Sequence, residues 1–382
     1  MLTSSFAPRA ITTADLQHRL DTRTKPQGSL GRLETLAIRI GLTLQSERPR
    51  FTQPRIMVFA GDHGIAPAGV SAFPQEVTAQ MVLNYLSGGA AINVLARQLG
   101  LALAVIDAGV ASPLAPTPGL IDRNLGRGTR NYLHEAAMTP EQRDIAIATG
   151  RDLAASAIAD GSNALLLGEM GIGNTASAAM LLHRITGWSV GDCVGRGTGL
   201  DDAGLAHKVM LLQTASARCP GVLSPLEALG EFGGFELAMI VGAVLEAARH
   251  RCLVVIDGFA VSVAALVASA LDANAHAGVS AGADARAGAN DAPGAAANTS
   301  ADVDDSVTPR ADALSHCVFS HCSAEKAHRA LLRRFGVQPL LDLELRLGEA
   351  SGAALAWPLI DSSARLLSDM ASFESAGVSD RS

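Results

Sequence analysis

The sequence predicts an α/β fold built on a doubly wound, mostly parallel sheet, and three observations carry that expectation. Short apolar runs at residues 56–60, 102–106, 164–167 and 253–256 read as strands buried on both faces. Three of these runs end in an aspartate next to glycine or one residue from it, at Asp62, Asp107 and Asp257. Segments with helical patterning separate the runs, and strand–helix alternation is how a parallel sheet is wound.

Taken in order, residues 15–45 are helical in period, with an interruption at 24–34. Lys25-Pro26 should end one helix and Ser29 cap the next. The intervening loop is either a polar connection or a source of Lys25 or Arg32 for an anionic ligand. The first strand stops at Gly61-Asp62-His63-Gly64. Its Asp-His pair suits acid–base chemistry, a metal site or a hydrogen-bonded turn, and the sequence offers no further metal ligands nearby. A helix over 76–86 carries polar Thr78 and Gln80, which face a pocket or solvent, and Gly88-Gly89 separates it from a second helix over 90–99. Residues 113–130 are rich in Pro, Gly and Arg and show little regular pattern. Thr139 then caps a helix with Pro140 in its first turn, running to about residue 160.

The chemistry concentrates at residues 164–180, ALLLGEMGIGNTASAAM. A buried strand meets Gly168-Glu169, then the turn Gly171-Ile172-Gly173, and Asn174 or Thr175 caps an alanine-rich helix that stops near Gly187. The free N–H groups and positive dipole end of such a helix suit a phosphate, and Glu169 falls at the strand's carboxyl end, where open sheets hold ligands. The spacing lacks the third glycine of a dinucleotide fingerprint and the Gly-Lys-Ser/Thr ending of a P-loop. It reads as a site for a phosphorylated small molecule, or as a plain tight turn. A second glycine-rich turn at 194–199 precedes a helix over 202–217 carrying Lys208, and another helix spans 230–249. Near the C-terminus Gly348-Glu349 again precedes a small-residue turn and a helix over 353–367. Glu169 and Glu349 are thus candidates for paired carboxylates of the kind acid–base chemistry uses.

Bulk composition excludes several classes. The 382-residue chain is 48% hydrophobic and only 18% charged, so it can bury a large core. A net charge of −7, with no basic stripe, argues against a nucleic-acid surface. Five cysteines with no paired framework and no secretory leader favour a reducing cytoplasm. The apolar run at 253–271 is at the minimum length for a membrane span, but Asp257-Gly258 breaks it into a strand, a turn and a helix. Residues 274–312 are dominated by Ala, Gly, Asp and Asn and read as a disordered insertion, because they cannot bury enough apolar surface to offset ordering entropy. His316-Cys317 and His321-Cys322 crowd four candidate zinc ligands into seven residues, too tight for usual structural spacing.

The segments KPQGSLGRLE, GDHGIAPAGVSAFPQEVTAQM, GEMGIGNT, GGFELAMIVGAV, DGF, SHCSAEK and LRLGEASGAAL occur in that order across residues 24–370. Together they resemble the nicotinate-nucleotide–dimethylbenzimidazole phosphoribosyltransferase (CobT) family; the long 274–312 segment departs from its pattern without interrupting a motif. The resemblance implies a Rossmann-like large domain over 51–334 and a small helical domain from 1–50 plus 335–382, acting as a homodimer with no cofactor. It implies transfer of the 5-phosphoribosyl group of nicotinate mononucleotide to 5,6-dimethylbenzimidazole, giving α-ribazole 5′-phosphate and nicotinate. Glu349, by its place in LRLGE, would be the general base, and Glu169 would support the cationic centre or the ribose. Gly171, Asn174, Thr175, Gly197, Lys208 and Ser320 would serve the nucleotide, and Gln80 with Leu347 the benzimidazole. Two alternatives are a non-catalytic nucleotide-binding relative, against which Glu349 is retained, and a nucleoside phosphorylase, which would need a free phosphate site.

Overall fold

A computed structural model describes residues 9–284 and 312–379. Six strands form one parallel sheet: β1 Arg55–Gly61, β2 Ala102–Gly109, β3 Leu120–Asp122, β4 Ala164–Met170, β5 Leu253–Ile256 and β6 Cys317–Phe319. Their spatial order is β3-β2-β1-β4-β5-β6. The winding therefore reverses between β1 and β4, and the crevice outside their carboxyl ends is where such sheets bind ligands.

Alternate residues of each central strand feed two separate cores. Met57, Phe59, Leu165, Leu167, Val254 and Ile256 pack on one face, while Ile56, Val58, Leu166, Leu253 and Val255 pack on the other. Both sets are apolar, which is why these strands read as unbroken hydrophobic runs. The first face carries the helix Phe235–Arg249, buried from Phe235 through Ala247, which packs along Pro140–Ala159. The second carries Ser351–Asp369 through Ala353, Ala354, Trp357 and Ile360. Helices Thr13–Asp21 and Arg32–Thr43 join the far end of Ser351–Asp369 around Leu16, Leu20, Ala37 and Leu367, so the two chain ends meet.

Several local expectations need correction. Ser29 caps nothing: the helix starts at Arg32 behind Gly31, with no side-chain cap. Residues 113–130 contain β3, and β6 follows 312–315; each is only three residues long, too short for a periodic signal. The span 230–249 holds the end of helix Pro225–Phe232, a break at Gly233-Gly234, and then Phe235–Arg249. Residues 274–284, expected as disordered, continue the helix Phe259–Asp284; the rest of that expectation, 285–311, lies outside the described residues. The 253–271 run is β5, a turn and the start of that helix, and among the described residues no helix is long and apolar enough to cross a membrane.

Candidate active site

Strand β4 delivers Glu169 to the switch point, almost completely buried, and the chain then turns through Gly171-Ile172-Gly173. Gly173 has φ +100°, and the helix Asn174–Thr186 begins directly after it with no side-chain cap. Asn174 and Thr175 are thus the first helical residues, not caps, and their side chains are engaged elsewhere. The Asn174 amide donates to Glu169 Oε2. Thr175 Oγ1 accepts from Lys208 Nζ at 2.9 Å. The Ile172 N–H is tied at 3.1 Å to the hydroxyl of buried Thr78. An uncapped helix start with its loop so fixed presents backbone donors and a positive dipole end to the cleft.

A second loop faces the first. Arg196, Gly197 and Thr198 line the cleft, and Arg346 Nη1 donates to the Thr198 carbonyl at 2.8 Å. Lys208 stands behind both loops, fully buried, donating also to the Gly195 carbonyl at 3.4 Å. Burial lowers its pKa to about 8, against the pull of Glu325. Lys208 ties the two loops together from behind and does not form the cleft wall.

The other glutamate comes from a strained turn. Gly348, Glu349 and Ala350 have φ values of +85°, +66° and +64° in succession, and for the two non-glycine residues this left-handed conformation is costly. The turn is held against β4: the Glu349 N–H donates to the Glu169 carbonyl at 3.2 Å. Contact this close requires glycine at 168, where a Cβ would lie 2.2 Å from the Ala350 nitrogen. Glu349 is buried, and the buried Tyr85 hydroxyl faces its carboxyl without closing a hydrogen bond of ordinary geometry.

Burial is the main cause that raises the pKa of Glu349; Tyr85 opposes it and Asp257 adds to it. Glu169 is raised well above the ordinary carboxylate range, by burial first and then by Asp257, Glu236 and Glu349. The carboxyl edge of the sheet thus crowds buried carboxyl groups whose ionised forms are disfavoured, and a cationic ligand placed there would favour ionisation.

The cleft holds about 770 Å³, its open mouth included. Of the residues picked from sequence, Glu169, Gly171, Asn174, Thr175, Gly197 and Leu347 line it. Glu349 and Lys208 stand just behind the wall, next to Gly348 and Thr175 respectively. Gln80 lies exposed on the helix Val77–Ser87 and is not part of the wall; its neighbour Thr78 is the one tied to the loop. Ser320 is buried behind His321. Lys25 is held in a buried pair with Glu34 at 2.9 Å, and Arg32 donates to the Gln338 carbonyl at 3.2 Å, so neither reaches the cleft. The Asp62-His63 pair is a hydrogen-bonded turn. Asp62 Oδ2 accepts from Ala111 N–H at 2.8 Å, and buried His63 lies 2.8 Å from Glu236 and 2.9 Å from Ser177. Arg196, Arg346, His321, Ser323 and Glu325 also line the cleft; Arg346 belongs to the LRLGEASGAAL motif and the last three to SHCSAEK, and none of them stands out in the sequence as a substrate group.

A parallel sheet whose switch point sets an uncapped helix start beside two buried carboxyl groups defines the class of α/β proteins that hold a small molecule in the crevice outside the strands' carboxyl ends. The family model described as "Phosphoribosyltransferase" matches residues 7–292 and 294–378. The chain is 48% identical over 365 residues to the nicotinate-nucleotide–dimethylbenzimidazole phosphoribosyltransferase of Cupriavidus necator, spanning 96% of this chain and 94% of that protein. It is 50% identical over 369 residues to the protein of the same name from Dechloromonas aromatica, spanning 96% and 95%. The crystal structure of CobT from Thermus thermophilus superposes with a TM-score of 0.83 at 39% identity, covering 97% of this chain and 99% of that one. The chain belongs to the nicotinate-nucleotide–dimethylbenzimidazole phosphoribosyltransferase family.

Proposed function

We propose that this protein transfers the 5-phosphoribosyl group of nicotinate mononucleotide to 5,6-dimethylbenzimidazole, releasing nicotinate and α-ribazole 5′-phosphate for the lower ligand of cobalamin. The observation that carries the reading is the joining of Glu169 and Glu349 by one backbone hydrogen bond beside an uncapped helix start. The 5′-phosphate meets the helix start at Asn174–Thr175 and the loop around Gly197, with Arg196 and Arg346 at the rim. The glycosidic nitrogen of the substrate is a pyridinium, so the buried carboxyl groups gain a cationic neighbour when the nucleotide binds.

Glu349 takes the proton from one benzimidazole nitrogen, and the lone pair of the other nitrogen attacks the anomeric carbon. The bond to nicotinate breaks with its electron pair returning to the pyridine ring, and the configuration inverts from β to α. The leaving group is already good, so the protein's work is to position and deprotonate the nucleophile and to tolerate an oxocarbenium-like centre. Glu169 faces that centre. Its strongly raised pKa falls when a cation occupies the cleft, so the bound nucleotide itself ionises it. Leu347 supplies an apolar side for the flat acceptor. A small helical domain of 1–50 plus 335–382, a homodimeric assembly and a cytoplasmic location belong to the same reading, supported by the packing of the chain ends and by the family.

Product analysis tests it against phosphorolysis. Nicotinate mononucleotide and dimethylbenzimidazole should give α-ribazole 5′-phosphate at equal rates with and without inorganic phosphate. A requirement for inorganic phosphate, with a sugar phosphate as product, would refute transfer to the base.

A further inference from the structure

His321 stands on the cleft wall, yet its chemistry comes from behind. Strand β6 pairs with β5 in the register Ile256↔Phe319, which sets Ser320-His321 beside Asp257. Ser320 N–H donates to the Ile256 carbonyl at 3.0 Å, and Leu341 N–H donates to the Ser320 carbonyl at 2.9 Å, so the backbone is clamped on both sides. The imidazole Nδ1 lies 3.1 Å from Ser320 Oγ and 3.8 Å from Asp257 Oδ1. Asp257 is itself buried and fixed, accepting from Ala353 N–H at 3.0 Å. The ring packs so tightly on Gly352 that a Cβ there would lie 1.9 Å from Nδ1.

These contacts select a tautomer. We assign the Ser320 hydroxyl proton to the Asp257 main-chain carbonyl, 3.3 Å away, which leaves the hydroxyl oxygen to accept from His321 Nδ1 on the side where the Asp257 carboxyl also stands. The Nδ1 position therefore carries the hydrogen, and in the neutral ring Nε2 holds a lone pair. Among the described residues no protein group bonds Nε2, and His321 is on the wall of the cleft with Glu169. The cleft is accordingly divided. Donors line the loops 171–175 and 196–198, while acceptors, Glu169 and His321 Nε2, lie at the ends of β4 and beyond β6. A nucleotide has the complementary division: phosphate oxygens accept and ribose hydroxyls donate.

We infer that His321 is a further substrate-contacting residue, its Nε2 accepting a hydrogen bond from a ribosyl hydroxyl of the nucleotide, with Asp257 and Ser320 as the residues that position the ring. This rests on the phosphoribosyl reading above and adds to it the group that grips the sugar.

The test compares wild type, His321→Ala and His321→Gln on nicotinate mononucleotide and its 2′-deoxy and 3′-deoxy analogues, with dimethylbenzimidazole as acceptor. His321→Ala should lower kcat/KM for the full nucleotide by roughly tenfold or more. The loss should vanish for the one deoxy analogue that lacks the gripped hydroxyl and persist for the other. His321→Gln, which keeps a polar atom at similar reach, should recover part of the loss and guards against a misfolded Ala variant. Equal losses on all three nucleotides would overturn the inference, as would a loss that disappears with the unphosphorylated nicotinate riboside. Calorimetric binding of the same nucleotides reads the contact independently of turnover. A chain that binds them with the expected pattern but transfers nothing would sink the transfer reading and leave the His321 contact standing.

Discussion

The amide of Glu349 donates to the carbonyl of Glu169 at 3.2 Å, so the two glutamates are coupled through main chain and not only through space. Gly168 makes that bond possible, because a side chain there would strike the Ala350 nitrogen. Gly168→Ala should therefore push the 348–350 turn off β4. The expected outcome is a loss of about 1–3 kcal/mol in unfolding free energy, the usual cost of overpacking, together with a turnover defect larger than the stability loss explains. Chemical denaturation and initial rates on the same preparation check it; unchanged turnover would mean that the turn need not rest on β4.

Glu169→Gln should lose most activity yet make the unliganded protein more stable at neutral pH. The sign follows from the raised pKa. Between the ordinary value of 4.5 and the higher folded-state value, the folded chain holds a proton that the unfolded chain has released. Stability from this group is thus full below about pH 4.5 and declines as pH rises through the folded pKa. The Gln variant cannot ionise and keeps an acceptor for Asn174. Thermal midpoints at about pH 4 and pH 7.5 are the measurement. The gain should be present at the higher pH and absent at the lower, and a variant destabilised at both would make Glu169 a structural group.

Much of this is legible in the sequence because it is local. Glu169 at the end of an apolar run and Glu349 before a small-residue turn are both marked by their neighbours. The same holds for Thr139, which caps its helix in a full capping box with Gln142. What escapes a sequence reading is non-local. Gln80 and Thr78 sit close together on one helix, and only packing decides that Thr78 turns inward to the loop while Gln80 faces out. Lys208 looks like a phosphate ligand in sequence, but the tertiary fold buries it behind Thr175. His321 reads as a chance neighbour of Cys322, and its partner Asp257 arrives from a different strand, distant in the chain, which no spacing rule reveals.

Lys208 gives the loops a pH dependence. Its folded pKa is about 8, against an ordinary value of 10.5, so the folded chain releases this proton first. Stability from this group rises with pH between those values, while the positive charge behind Thr175 is lost above about pH 8. Nucleotide affinity should accordingly weaken on going from about pH 7 to about pH 9.5. In Lys208→Met that pH dependence should be gone and affinity low throughout. Binding titrations across this range decide it; the same slope in wild type and variant would assign the effect to another group.

Replacing residues 285–311 by a short Gly/Ser bridge should leave both turnover and thermal midpoint close to those of the full chain. The segment has few large apolar residues to contribute to a core, and loop-closure entropy changes slowly with length. The helix to Asp284 must be kept, because its earlier turns, from Phe259 through Ala268, are part of the core. A midpoint lowered by many degrees would show that the segment packs on the rest.

Base catalysis by Glu349 is tested most directly by single-turnover transfer in Glu349→Gln, with nucleotide binding measured in parallel. Glu349 sits in a buried, strained turn with a raised pKa, conditions that suit a base working near neutrality. Nicotinate mononucleotide affinity should stay near that of wild type, while transfer to dimethylbenzimidazole slows by roughly two to four orders of magnitude. The defect should shrink for acceptors acidic enough to be partly deprotonated already. Transfer within a few-fold of wild type would contradict base catalysis by Glu349 and move the proton to Glu169.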